Sequence, residues 1–266
     1  MMTEYGEFAI SMARIAGSFL KNRFGANHEI DYKGEIDIVT EADRMSEKIL
    51  ITEISRKFPD HNILAEESTE IKKGSRYRWI IDPLDGTTNY AHGFPVFCVS
   101  IALEKDGEII TGVIYNPVTE ELFATEKGEG AFMNGSSISV SKTTKISKSL
   151  LATGFPYDIR RDPNNNINYF NGMALEAQAI RRAGSAALDL AYTAAGRFDG
   201  FWELKLHPWD TAAGWLLVKE AGGTITDISG GSYRLDSPVI LASNGKIHDS
   251  MICILGKINP ADKRFQ

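Results

Sequence analysis

Between residues 97 and 140 the chain is written as short apolar segments separated by turn dipeptides, and no other feature restricts its fold as tightly. The segments are residues 97–103, 109–115, 121–125 and 131–133. The punctuation is Asp106-Gly107, Asn116-Pro117, Lys127-Gly128 and Asn134-Gly135. Connections this short join neighbouring strands only in antiparallel sense, so the stretch reads as a β-meander.

Upstream, Tyr5, Phe8, Ala9, Met12, Ile15, Ala16, Phe19 and Leu20 fall at helical spacing over residues 5–20. A polar stretch at 28–37 follows, with Lys33-Gly34 as its turn. A second helix starts at Thr40, where Thr40 and Asp43 resemble a capping box with Asp in place of the usual Glu, and it runs through Met45, Ile49 and Ile54 to Pro59. Residues 62–65 and 78–81 read as short strands, each running into acidic residues. The first half is thus α+β with an antiparallel sheet.

The second half alternates. Strands are expected at 150–153, 199–203, 224–227 and 239–242, and helices at 167–179, at 185–195 before Gly196, and at 210–221 between Pro208 and Gly222-Gly223. Such alternation predicts an α/β layer packed beside the first unit. The polar segment 142–148 marks the boundary, giving an N-terminal domain at 1–145 and a C-terminal domain at 146–266.

With 43% hydrophobic and 24% charged residues over 266 positions, the chain has the composition of a globular protein. A net charge of −6 and the lack of a basic block argue against a nucleic acid or an anionic membrane as primary partner. Cys98 and Cys253 both sit among apolar neighbours and read as two buried thiols. No leader and no membrane-length apolar run are present in the sequence, so a cytoplasmic protein is expected. An acidic protein that binds phosphate esters needs a separate source of positive charge, and a metal ion supplies it.

Acidic residues stand at four predicted element ends: Asp43, Glu66-Glu67, Asp82 with Asp85, and Asp210. Asp43 and Asp210 would equally serve as complements to a helix dipole, and Glu66-Glu67 as plain surface charge. Trp79-Ile-Ile-Asp-Pro-Leu-Asp-Gly-Thr-Thr-Asn89 is more restrictive. Its apolar start drives the chain into a core, from which two carboxylates three positions apart emerge. Pro83 fixes φ and Gly86 permits a sharp turn. Hard oxygen donors of this kind suit Mg2+, and the Gly86 and Thr87 amides beside them suit a phosphate. Metal and anion donors side by side describe a phosphoryl-transfer site.

Five separated motifs carry a resemblance that covers nearly the whole chain. They are Asp37-Ile-Val-Thr-Glu-Ala-Asp43, Ala65-Glu-Glu-Ser68, Trp79-Ile-Ile-Asp-Pro-Leu-Asp-Gly-Thr-Thr-Asn-Tyr90, Gly184-Ser-Ala-Ala187 and Pro208-Trp-Asp-Thr-Ala-Ala213. In this order and spacing they resemble the inositol monophosphatase family, within the lithium-sensitive, metal-dependent sugar phosphatases. The resemblance implies a layered αβαβα sandwich, a homodimer, lithium inhibition, and two to three Mg2+ per site. It implies that Glu66, Asp82 and the Leu84 carbonyl hold one ion, and that Asp82, Asp85 and Asp210 hold a second. Glu66 would also contribute to a third, weaker ion. Water oriented by Glu66 and Thr87 would attack phosphorus, with Glu67 and Asp43 as orienting groups. Gly86 and Thr87 would meet the phosphate. Gly184, Ser185, Ala186 and Glu203 would meet the hydroxyls of a small phosphorylated polyol or sugar, and Lys33 resembles a flap lysine. Glu203 also reads as a strand-end surface charge, and His207 beside Trp209 as a packing residue. Inositol 1-phosphate is the leading substrate. Fructose 1,6-bisphosphate is the alternative, a 3'-phosphoadenosine phosphate is less favoured for lack of room, and a non-catalytic regulator is the reading from another class.

Overall fold

The computed structural model describes residues 2–26, 30–35 and 37–258. Of the polar stretch 28–37, residues 28, 29 and 36 lie outside the described residues, as do position 1 and positions 259–266 of the two expected domains. In chain order the elements are α1 (Glu4–Arg23), β1 (Ile30–Tyr32), β2 (Ile38–Thr40), α2 (Glu41–Lys57), β3 (Asn62–Ala65), β4 (Tyr77–Asp85) and α3 (Thr87–Ala91). The meander follows as β5 (Cys98–Lys105), β6 (Glu108–Asn116), β7 (Glu121–Glu126), β8 (Gly130–Met133) and β9 (Ser136–Ile138). Then come β10 (Leu150–Thr153), α4 (Ile167–Ala174), β11 (Ala179–Arg181), α5 (Ala186–Ala194), β12 (Gly200–Leu204), α6 (Pro208–Glu220), β13 (Thr224–Thr226), β14 (Val239–Ser243) and α7 (His248–Leu255).

Strands β3 to β9 form one seven-stranded sheet in sequence order, antiparallel except for the β3–β4 pair. The five-stranded sheet runs β11-β10-β12-β14-β13, and only β10 pairs in parallel, with β11 and β12. Side-chain alternation sorts the layers. On β4, Trp79 and Ile81 join the core under α1 and α2, whereas Ile80 between them joins the core with α5 and α6. On β12, Phe201 faces α5 and α6, whereas Trp202 and Leu204 face α4 and α7. Both sheets are therefore covered on both faces, which is why the strands read as continuous apolar runs. The result is the expected five layers: α1/α2, the large sheet, α5/α6, the small sheet, and α4/α7.

Three local expectations are corrected. The helix expected over 167–179 ends at Ala174, because the Gln178 and Ala179 amides donate to the Ser149 carbonyl and 179–181 become an edge strand beside β10. Cys98 is buried as expected, but Cys253 is exposed. On α7 the inward face is set by His248, Met251 and Leu255, and a residue two positions from Met251 points about 200° away from it. Asp82 and Asp85 do not follow a strand that ends near 81; they lie within β4. Asp82 pairs with Ser100 and Asp85 with Cys98, so one extra residue is accommodated in a bulge at Pro83-Leu84.

Candidate active site

The bulge in β4 aims the acidic pair. Asp82 is 1% exposed and its Oδ1 accepts from the Leu84 amide at 2.9 Å, which folds the side chain back over the bulge. Ser46 Oγ donates to the Pro83 carbonyl at 2.8 Å and ties the bulge to α2. Asp85 Oδ2 accepts from Ser185 Oγ at 2.6 Å and from the Ala187 amide at 2.8 Å, so the start of α5 holds it. The following residue, Gly86, has φ of +96°, and a Cβ there would lie 2.8 Å from the Val96 carbonyl oxygen. Only glycine fits both the left-handed backbone and that approach.

Asp210 is the third residue of α6, where its Oδ2 accepts from the His207 amide at 2.6 Å. It therefore caps a helix and faces the cavity at once. Glu66 follows β3 directly. Lys33 Nζ, on the turn after β1, pairs with Glu66 at 3.0 Å and also with Glu67. The Glu67 amide in turn donates to Glu47 on α2. Glu66, Asp82, Leu84, Asp85, Thr87 and Asp210 line a single cavity between the two sheets.

The carboxyls strain one another electrostatically. Burial drives Asp82 well above the usual carboxylate range, and the charges of Glu66, Asp85 and Asp210 add to it. Asp210 is raised in the same way, by burial and then by Asp85 and Glu66. Burial also raises Asp85, although its bonds to Ser185 and the α5 amides oppose the shift. Glu66 is pushed up to about 7 by burial, opposed by the Lys33 charge and reinforced by Glu67. Burial works to lower the Lys33 ammonium, but attraction to Glu66 and bonds to both glutamates outweigh it and hold the group above its ordinary value.

Carboxyls from three elements, each raised chiefly by burial, form a donor set whose charge Lys33 offsets only at Glu66. That chemistry fits hard divalent cations. Among the described residues, no three His, Cys, Asp or Glu side chains converge closely enough to enclose an ion by themselves.

Thr87 and Asp43 form a second unit. Asp43 is fully buried. Its Oδ2 accepts from the Thr40 amide at 2.8 Å and from Thr40 Oγ1 at 2.6 Å, completing the expected capping box, while Oδ1 accepts from Thr87 Oγ1 at 2.8 Å. The Leu84 carbonyl lies 3.1 Å from the same threonine oxygen.

An adjoining cavity is lined by Gly184, Ser185, Ala186 and Glu203, the residues expected to meet substrate hydroxyls. The Ser185 hydroxyl, however, is turned toward Asp85 and caps α5 through the Leu188 amide, so its proton supports the carboxylate cluster. His207 stacks on Trp209 at 4.8 Å with an 8° interplanar angle, as a packing residue does. Asp189, Arg182 and Tyr157, to which the sequence assigns no site role, also line this cavity. For Asp189 a signal existed: it is a lone acid in the apolar helix Ala186-Ala-Leu-Asp-Leu-Ala191. For Tyr157, in a loop between β10 and α4, none did.

Comparison with known proteins gives a consistent result. A model of the inositol monophosphatase family matches residues 1–259. The inositol-1-monophosphatase of Mesorhizobium japonicum is 44% identical over 246 residues, covering 91% of this chain and 92% of that protein. The Nus factor SuhB of Escherichia coli is 40% identical over 247 residues, 92% of each chain. The crystal structure of the extragenic suppressor protein suhB from Bartonella henselae superposes with a TM-score of 0.91 at 43% identity, over 96% of this chain and 99% of that one.

Proposed function

Since the chain belongs to the inositol monophosphatase family, we propose that it is a Mg2+-dependent phosphomonoesterase of small phosphorylated polyols, with inositol 1-phosphate as its leading substrate. The observation that carries this reading is the set of four carboxyls, Asp82, Asp85, Asp210 and Glu66, facing one cavity beside the Thr87–Asp43 pair. Those four side chains and the Leu84 carbonyl would hold the metal. When bound, Mg2+ supplies Lewis acidity toward the phosphoryl group and makes water a better nucleophile.

The protein's own residues do the rest. Thr87 directs its hydroxyl proton to Asp43, which leaves an oxygen lone pair free to accept a hydrogen bond from the attacking water and so orient it. Glu66, in the same cavity, is placed to accept the water's proton as general base. The amides of Gly86 and Thr87, at the turn into α3, suit the phosphate oxygens. Lys33 balances the charge of Glu66 and Glu67. Glu203, at the far end of the adjoining cavity, suits a ring hydroxyl.

Release of phosphate from inositol 1-phosphate and from fructose 1,6-bisphosphate, with Mg2+ and with a chelator, tests the reading. Chelation and Asp85→Asn should each remove at least about 99% of activity, the scale expected when a metal-supporting group is lost. Preference for the bisphosphate would make the sugar enzyme the better assignment. The name Nus factor SuhB borne by a relative favours a second reading, a regulator for which catalysis is dispensable. In that case the wild-type protein would show no Mg2+-dependent hydrolysis for Asp85→Asn to remove.

A further inference from the structure

Asp189 has no part in the chemistry described so far, yet it lines the same cavity as Glu203. It lies in the first turn of α5, between Leu188 and Leu190 of the core. Complementing the helix dipole would account for an exposed acid there. It does not account for one that is 1% exposed with Oδ1 lacking any hydrogen-bond partner among the described residues. A buried carboxyl oxygen without a donor is costly, and the fold tolerates such a group where a ligand completes it.

The surroundings narrow the ligand. Glu203, on β12, faces the cavity across from Gly154, where any Cβ would collide with the Glu203 carboxylate. The lysine of this region is already engaged: Lys205 Nζ lies 2.6 Å from both Asp158 and Asp162. Arg182, exposed at the rim, is the cation that acts on both Asp189 and Glu203, and it only partly offsets their burial and mutual repulsion. Whenever either acid is charged, an anionic group is repelled from this end of the cavity. A neutral hydroxyl is not: it donates to a carboxylate and accepts from a carboxylic acid, so it satisfies either protonation state.

We propose that Asp189 is a specificity-determining residue that binds a hydroxyl of the substrate polyol, adjacent to the hydroxyl taken by Glu203, and so selects phosphomonoesters carrying at least two ring hydroxyls at this distance from the phosphate. The assignment rests on the phosphomonoesterase reading of the site. It places the phosphate end at Gly86 and Thr87 and the discriminating end between α5 and β12, with the cavity as the measure of the leaving group.

The test compares the wild-type protein with Asp189→Asn and Asp189→Ala on myo-inositol 1-phosphate and on p-nitrophenyl phosphate, which has no aliphatic hydroxyl, in saturating Mg2+. The expected result is a KM for the inositol ester raised about tenfold or more, or about 1.4 kcal/mol, with the KM for the aryl ester changed by less than about twofold. The Asp189→Ala melting temperature should be equal to or above that of the wild type, because that variant removes an unpartnered buried carboxyl. A packing role predicts the reverse: a lower melting temperature and equal losses on both esters, which would overturn the assignment. An unchanged KM for the inositol ester would overturn it as well. Wild-type protein that cleaves neither ester sinks the phosphomonoesterase reading, and this assignment with it; wild-type activity on both, with variants that fail to discriminate, sinks only the role of Asp189.

Discussion

Replacing Glu203 by glutamine should stabilise the metal-free protein at alkaline pH and do little at acidic pH. Glu203 is buried, and its carboxyl is pushed up to about 8, first by that burial and then by the charge of Asp85, with Arg182 opposing. In the unfolded chain the same group titrates near 4.3. The native state thus holds the proton more tightly than the unfolded state between these values. The contribution is complete below about pH 4.3 and is lost as pH rises through about 8. Each pH unit across that window costs the wild type up to about 1.4 kcal/mol, so the full span has an upper limit of about 5 kcal/mol. For a chain of this size 1 kcal/mol corresponds to roughly 2–4 °C in Tm, which predicts a gap of up to about 10–20 °C by pH 8.5. The glutamine side chain of the Glu203→Gln variant has the same shape and no titration. Thermal unfolding of both proteins from pH 4.5 to 8.5, in a chelator, reads the difference directly. Curves that stay parallel across this range would refute the idea that Glu203 is held protonated by its surroundings.

Two other substitutions probe the remaining parts of the site. Asp43→Ala removes the acceptor of the Thr40 amide and of the Thr87 hydroxyl, and should cost about 2–4 kcal/mol with a turnover loss of at least about 100-fold. A wild-type melting curve for that variant would contradict the capping role. Lys33→Met takes an ammonium away from Glu66 and Glu67, so titration calorimetry should show Mg2+ binding more tightly; weaker binding would mean that Lys33 orders the glutamates more than it competes for them.

The elements carried by local chemistry were legible from the start. Short apolar segments and turn dipeptides announce β5 to β8, helical spacing announces α1, and Thr40 with Asp43 announces a cap that forms as expected. These signals are local because each rests on backbone geometry within a few residues. The end of α4 at Ala174 was not legible, since it depends on whether the β10 edge captures residues 179–181. Neither was the exposure of Cys253, which depends on how α7 is rotated on the small sheet.

The acidic site divides along the same line. The run from Trp79 to Asn89 determined by itself that two carboxylates stand three positions apart beside a turn whose amides suit an anion. That much needs only Pro83, Gly86 and the apolar start. Tertiary structure decided the remainder: that the pair sits on a bulge opposite Ser100 and Cys98, and that the Ser185 proton is turned to Asp85. It also brings Asp189, over a hundred residues away in sequence, into the adjoining cavity that Asp85 also lines. A residue's type and spacing limit what chemistry it can perform. Which groups share a cavity, and which lose their water, is settled only when separate elements pack.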